Sequence, residues 1–405
     1  MTIDQIDLTD LDVFTARRFH EQLGWLRDND PVHWHATPGG GGFWILTCYE
    51  DITAAYRDHQ TLSSSGGAML GGSFRNESDT SSGRMPVSSD PPRHRMLRQV
   101  MHRVFTPKMI AQAAEQISVL VAGALFRAES EGGADFSTDI ATELPAGALM
   151  ILMGMSYADA HWLIGMTRRM IGYRDPLLVD MTVDEPLRLA GIQADILEFF
   201  ADLLLDRSDA DGDDLISVLR RSEINGQPLS FDDILYNCLN FAVGGNETSS
   251  YTACAGLLEL MREPEQRQRL TADPDLLDSG LNEMLRWSST NAYVQRRAVT
   301  DMELHGRTIR AGEAVTLWNV SANFDERQFA DPYRFRLDRS PNRHLSYGSA
   351  IHRCIGAALA HSELTVLFRQ MLDRRWHFEP AGDVRYLRSN FILGITRLPV
   401  AVVGD

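Results

Sequence analysis

Apolar residues recur at helical spacing along most of the chain, and alternation with a period of two is confined largely to its two ends. Residues 15–27 read as a short helix, and residues 43–48, after a glycine turn at 39–42, as a strand. Residues 63–89 are rich in Ser and Gly with little periodicity, the mark of a functional or mobile loop. From residue 91 to about 374 the pattern is mostly helical. Ser230, Phe231, Asp232 and Asp233 look like a capping box opening a long helix. Its apolar positions run through Leu235, Leu239, Phe241, Val243 and Ala255 to about Arg262, where Pro264 stops it. Such a helix spans about 45 Å, enough to cross the molecule. Residues 274–289 predict another helix. Residues 293–299, 302–305 and 314–318 predict short strands with turns at Gly306 and Ala311-Gly312, and residues 391–403 alternate again. The fold class is mainly α with a small β portion, not alternating β-α units.

The chain has 405 residues, 44% of them hydrophobic. That is long for a single core, so the expected organisation is one large domain over 1–405, with β-rich ends and a helical core at about 91–290. No run of 18 apolar residues occurs and the first twelve residues are acidic. The expectation is a cytoplasmic protein with neither signal peptide nor membrane anchor. The net charge of −16 argues against nucleic acid as a partner. Of the four cysteines, Cys238 and Cys254 fall in one helical pattern, about 24 Å apart and too far for a disulfide. One functional cysteine in a reducing compartment is the expected picture.

That cysteine is Cys354. It lies in His344-Leu345-Ser346-Tyr347-Gly348-Ser349-Ala350-Ile351-His352-Arg353-Cys354-Ile355-Gly356, ahead of a helical pattern through Ala357, Leu359, Ala360, Leu364 and Leu367. Glycines let a backbone pass close to a flat cofactor, and cations with a following helix N-terminus favour a thiolate. A lone Cys without partners at zinc spacing suggests haem. Other stretches ask for a reason. Gly244-Gly245-Asn246-Glu247-Thr248 puts two glycines in the middle of the long helix, at about 1 kcal/mol each. Close helix packing and a local opening of the helix beside a ligand both account for them. Glu283 and Arg286 share a helix face at i, i+3, which alone reads as a surface ion pair. His94 and Arg98, in Asp90-Pro91-Pro92-Arg93-His94-Arg95-Met96-Leu97-Arg98, lie at i, i+4 and can donate to one carboxylate. Arg93, Arg95, Arg98 and Arg103 cluster on that helix, either as a solvated face or as a docking patch.

Together these stretches resemble the cytochrome P450 family, in its order and spacing, over about residues 34–402. Departures are Tyr347 and Ala350, where Phe and Gly are usual, the Phe324 position, where Arg is common, and His361. The resemblance implies a helical-prism fold with minor sheets and a haem b whose iron is ligated by Cys354, in a loop shaped by Tyr347, Gly348, His352 and Gly356. It implies His94, Arg98, Arg296 and His344 on the haem propionates, Arg296 being adjacent to a second candidate, Arg297. Thr248 and Glu247 would deliver protons for dioxygen activation, Glu247 linking to bulk solvent. Glu283, Arg286 and Arg334 would brace the cysteine loop. Pocket walls would be Phe241, Gly244, Asn291, Val294 and Ile392, with the 63–89 loop and residues 391–393. The Ala350 position suggests a slightly altered turn. The partner would be a ferredoxin docked on the arginine patch. The reaction would insert oxygen into a hydrophobic small molecule or a carrier-protein-bound intermediate. Gly244–Thr248, Gly42-Phe43-Trp44 and Gly83-Arg84-Met85 look most like members that tailor secondary metabolites, antibiotics among them. Ring closure or coupling without net oxygen insertion is the alternative chemistry. A silent recruitment module would need none of Cys354, Glu247 and Thr248, and a haem sensor would carry a signalling segment.

Overall fold

The computed structural model describes residues 2–37, 40–70, 81–206, 212–374 and 377–403. Its axis is the helix Phe231–Arg262, capped by the Ser230 side chain, which accepts the Asp233 N–H at 3.1 Å, and followed by the helix Pro264–Ala272. Apolar residues face outward on most sides of it, because Glu143–Leu152, Tyr157–Ile171, Glu185–Asp206, Leu276–Ser288 and Ala357–Asp373 all pack around it. Pro107–Glu131 lies outside this ring, with Ala113, Ile117, Val121, Ala124, Leu125 and Ala128 turned to the core. By length and composition this helix could cross a membrane, a feature that a search for uninterrupted apolar runs misses.

The helix expected at 15–27 is two helices, Leu11–Thr15 and Phe19–Asn29. Arg17 breaks the run with a φ of 59°, its guanidinium stacked on the rings of Phe19 and Tyr386. The two ends of the chain meet in a five-stranded sheet ordered Val32–Ala36, Gly42–Leu46, Ala314–Leu317, Val294–Ala298, Leu62–Ser63. Its register sets Val315 beside Trp44 on one strand and Arg296 on the other. The C-terminal alternation becomes Ile395–Arg397, paired to Arg385–Tyr386, and Pro399–Val403, paired to His377–Pro380 and to the unanticipated strand Gly133–Asp135.

Glu283 and Arg286 are fully buried, so the surface-pair reading does not apply. Arg286 Nε and Nη2 reach the carboxylate at 2.7 and 2.8 Å, and Nη1 donates to the carbonyls of Asn323 and Pro332. The third member is not Arg334, which is exposed, but Arg339, whose Nε lies 3.0 Å from both Glu283 oxygens. The loop folds back so that Arg339 Nη2 binds the Arg334 carbonyl at 2.7 Å, turning the Arg339 side chain inward and leaving that of Arg334 in solvent. The Arg336 N–H and Asn342 Nδ2 also donate to Glu283. Asn323 carries the brace onward: its Oδ1 accepts the Leu345 N–H at 2.6 Å and its Nδ2 donates to Ser346 Oγ, at the entry of the cysteine loop. Removing the carboxylate strands two buried guanidiniums, a loss of about 3–5 kcal/mol. Glu283→Ala is expected to lower the urea-unfolding midpoint accordingly, and Arg334→Ala to stay within about 0.5 kcal/mol of the parent. Equal effects would contradict the exchange of Arg334 for Arg339.

Candidate active site

The cysteine loop ends in a tight turn. Gly348 has φ 62° and Ala350 keeps the glycine-like conformation at φ 53°. The turn expected to shift at Ala350 instead holds the left-handed geometry, at a cost of about 1–2 kcal/mol for a residue with a Cβ. The Cys354 N–H donates to the Tyr347 carbonyl at 2.8 Å. Cys354 itself is exposed, while the protein around it raises its thiol pKa. Desolvation by the protein packed around the sulfur is the largest cause, opposed by the Gly356 N–H and by the charge of Arg98. A Cβ on Gly356 would sit 3.9 Å from Cys354 Sγ, an open approach to the sulfur.

Beside the loop, His94 and His352 pack ring to ring at 4.6 Å, and the charges of Arg98 and Arg296 fall on His352. Burial, then Arg296, His94 and Arg98, push His352 down to about 2; burial, then Arg98, push His94 down to about 4. Arg296 is buried and packs over Tyr56, with no carboxylate within salt-bridge distance among the described residues, so the inward member of the Arg296/Arg297 pair is Arg296. Asp90 is near, but its oxygens are occupied by Ser63 Oγ and the Ser64 N–H. His344 does not join this group. Its Nδ1 accepts the Ser346 N–H within its own turn, and its neighbours are Arg286, Glu283 and Arg353. His352, already placed in the loop, occupies the position expected of His344.

Thr248 and Glu247 lie on the long helix, which runs without interruption through Gly244 and Gly245, so the expected opening is not found. Close packing does not explain the glycines either. A Cβ on Gly244 or Gly245 would meet nothing within 4 Å, whereas one on Gly256 would strike Met284. Thr248 Oγ1 donates to the Gly244 carbonyl at 2.9 Å. Glu247, fully buried, does not reach bulk solvent. Its Oε2 is held by Arg168 Nε at 3.1 Å, and burial raises its pKa against the pull of Arg168. Arg168 carries no sequence signal, since the pair joins helices 79 residues apart.

The expected pocket walls divide. Asn291 and Ile392 form a bridge across the C-terminal turn, with Val294 further along the first segment and half-buried. Phe241 turns instead to the cysteine side: its ring meets Phe105 at 5.8 Å, and Phe105 lies 3.6 Å from a Cβ placed on Gly356. Of the 63–89 loop, residues 71–80 lie outside the described residues. Its ends are fixed by Ser64 Oγ to His352 Nε2, at 2.9 Å, and by the Arg84 carbonyl to Asn237. The arginine patch shrinks. Arg93 is spent on Asp233 and the Gly83 carbonyl, and Arg98 is turned inward with its Nη2 on the Arg353 carbonyl, which leaves Arg95, Arg103 and Arg353 exposed.

These groups fit a haem. Both ring nitrogens of His94 and the hydroxyl of Tyr347 are buried without a partner among the described residues. His94, with Arg296 and Arg98, forms a donor set that fits propionates between the cysteine loop and the arginine-rich helix Arg93–His102, and nothing lies within 4 Å of a Cβ placed on Gly244 or Gly245 of the long helix.

The family model for cytochrome P450 matches residues 192–400. A methyl-branched lipid omega-hydroxylase of Mycobacterium tuberculosis is 36% identical over 390 residues, 93% of this chain and 89% of that protein. The crystal structure of P450 OxyD, involved in the biosynthesis of vancomycin-type antibiotics, superposes with a TM-score of 0.88 at 29% identity, covering 99% of this chain and all of that one. P450BioI, solved in complex with a fatty-acyl carrier protein, superposes with a TM-score of 0.84 at 25% identity, covering 96% and 99%. The chain belongs to the cytochrome P450 family. It is a P450 monooxygenase, and its cofactor is a cysteine-ligated haem.

Because His94 has no protein partner to lose, His94→Leu is expected to cost little of the fold. A charge-assisted hydrogen bond contributes about 1.5–3 kcal/mol, so haem affinity should fall about 10- to 100-fold, measured by competition with apomyoglobin. The haem-free protein should lose stability as pH falls from 6.5 to about 4. In that window unfolded His94 and His344 take up protons that the folded histidines refuse. Denaturation midpoints should be insensitive to these groups above pH 6.5, and His94→Leu should flatten the slope below it.

Proposed function

We propose that residues 1–405 act as one domain in which Cys354 would supply the iron-ligating thiolate and Glu247 and Thr248, on the long helix, would deliver protons. His94, Arg98, Arg296 and His352 hold the propionates. The observation that carries this reading is the convergence of partnerless buried donors beside Cys354. Haem held there would supply reductive activation of dioxygen, and the Cys354 thiolate would donate electron density to it. Gly356 leaves only a hydrogen on the backbone beside the sulfur, where a Cβ would come to 3.9 Å from Cys354 Sγ. Thr248 presents a hydroxyl one residue from the Glu247 carboxylate, the pair that ordered proton delivery requires. Arg168 holds Glu247 in place.

The substrate is a natural-product intermediate, taken free or on a carrier protein. Support comes from the antibiotic-biosynthetic role of OxyD and the carrier-protein complex of P450BioI. Hydroxylation of an extended lipid is the second reading, favoured by the 36% identity to the lipid omega-hydroxylase. Electrons come from a ferredoxin whose acidic surface meets Arg95, Arg103 and Arg353, and the enzyme works in the cytoplasm.

The proton role is tested by Thr248→Ala. Oxygen consumption should continue while product per reducing equivalent falls about tenfold or more and hydrogen peroxide appears in its place; unchanged coupling would contradict it. Spin-state titrations with free fatty acids and with carrier-bound aminoacyl and acyl thioesters separate the two substrate readings. A response to free acids alone favours the lipid.

A further inference from the structure

Three buried polar atoms around Glu247 make no well-aligned hydrogen bond among the described residues, namely Glu247 Oε1, Arg168 Nη2 and the Tyr251 hydroxyl, and that hydroxyl lies close enough to the Glu247 carboxylate to pull its pKa down. They converge. Tyr251 lies one helical turn beyond Glu247 and its side chain leans back toward it, while the Arg168 guanidinium sits 5.6 Å from the Tyr251 ring. Buried water typically bridges about three such atoms, and orphaned groups so close together are otherwise costly. Next to them, between the long helix, Leu276–Ser288 and the C-terminal turn, a cavity of about 30 Å³ is lined by Tyr251, Ser288, Glu259, Arg262, Tyr386 and Gly394. One water needs about 10–15 Å³, so it has room for a water or two. Its outer end is charged and wet, for Arg262 pairs with Glu259 at 3.0 Å while remaining 52% exposed. The chain at Gly394 passes flush against the Tyr251 ring, where any Cβ would collide, and this holds the ring in place.

We propose that protons reach Glu247 through this cavity, by way of the Tyr251 hydroxyl and a water held between Tyr251, Glu247 and Arg168. Arg168 keeps Oε2 occupied, so Oε1 is the oxygen that receives the proton. A solvent acid protonates water in the cavity at its outer end as Tyr251 or the held water passes a proton to Oε1. One O–H bond breaks for each that forms, no electron moves, and the conjugate base remains in solvent. Tyr251 hands on a proton while regaining one, so no free phenolate is required. The inference rests on the proposed role of Glu247 in feeding Thr248.

The test is infrared detection of the Glu247 carboxyl band, assigned by its absence in Glu247→Gln, after a downward pH jump on the haem-loaded protein. Tyr251→Phe keeps the ring and its packing and removes only the hydroxyl. Ala255→Leu fills the cavity, which Ala255 also lines, and removes no polar group. Both are expected to slow proton uptake by about tenfold or more. An unchanged rate in Tyr251→Phe overturns the path. That outcome is read without turnover, so it leaves the Thr248 coupling test of the proposed function standing.

Discussion

The Glu283 carboxylate is the constraint on which the rest of the site depends. It is wholly buried, and it is tolerable there only because Arg286, Arg339, the Arg336 N–H and Asn342 all donate to it. Those donors come from one helix and from the loop that precedes Cys354. Satisfying one charge therefore fixes the path of the chain between them. Through Asn323 the constraint passes to Leu345 and Ser346, and the turn that follows can then hold Ala350 in a left-handed conformation that it would not adopt alone. A strained turn persists where its surroundings over-determine it, and the brace supplies that condition at the point where the sulfur must be presented.

The two sides of the site handle charge in opposite ways. On the cysteine side, His94, His352, Arg98 and Arg296 are gathered with no carboxylate in salt-bridge contact among the described residues, Asp90 acting only from a distance, and burial and the arginines push both histidines toward the neutral form. In the proposed reading the cofactor's propionates would complete this cluster, which would couple haem binding to the local electrostatics. Across the site, Glu247 is a buried anion matched to a single cation, Arg168, with one oxygen left over. A fully satisfied carboxylate would be a poor proton carrier. In the proposed proton role, the oxygen that Arg168 does not hold would exchange the proton while the other keeps the side chain in position.

What the sequence made legible follows from how local each signal is. The long helix, the cysteine loop, the Glu283–Arg286 spacing and the His94–Arg98 face all lie within one or two turns of chain, and periodicity or motif reaches them. Features created by folding were missed. Arg339 replaced Arg334 because a loop reversal, not spacing, decides which arginine turns inward. Arg168 meets Glu247 across two helices. His344 and His352 are both plausible donors in a single motif, and only the turn geometry shows that His344 spends its nitrogen on Ser346. Phe241 sits on the expected helix, but its ring goes to Phe105 on the cysteine side. The arginine patch looked larger than it is because exposure cannot be read from composition: Arg93 is committed to Asp233 and the Gly83 carbonyl, and Arg98 turns inward toward Arg353 and His94. The uninterrupted helix at Gly244-Gly245 shows the same limit, since the glycines leave room beside the helix without breaking it.

The most direct measurement on the central claim, that Cys354 presents a thiolate to haem iron, is the carbon monoxide difference spectrum of the reduced protein. The account predicts the long-wavelength Soret band of a thiolate-ligated haem in the parent protein and its loss in Cys354→Ala, with Cys48, Cys238 and Cys254 all still present. A band that survives Cys354→Ala, or one that the parent never shows, would contradict it.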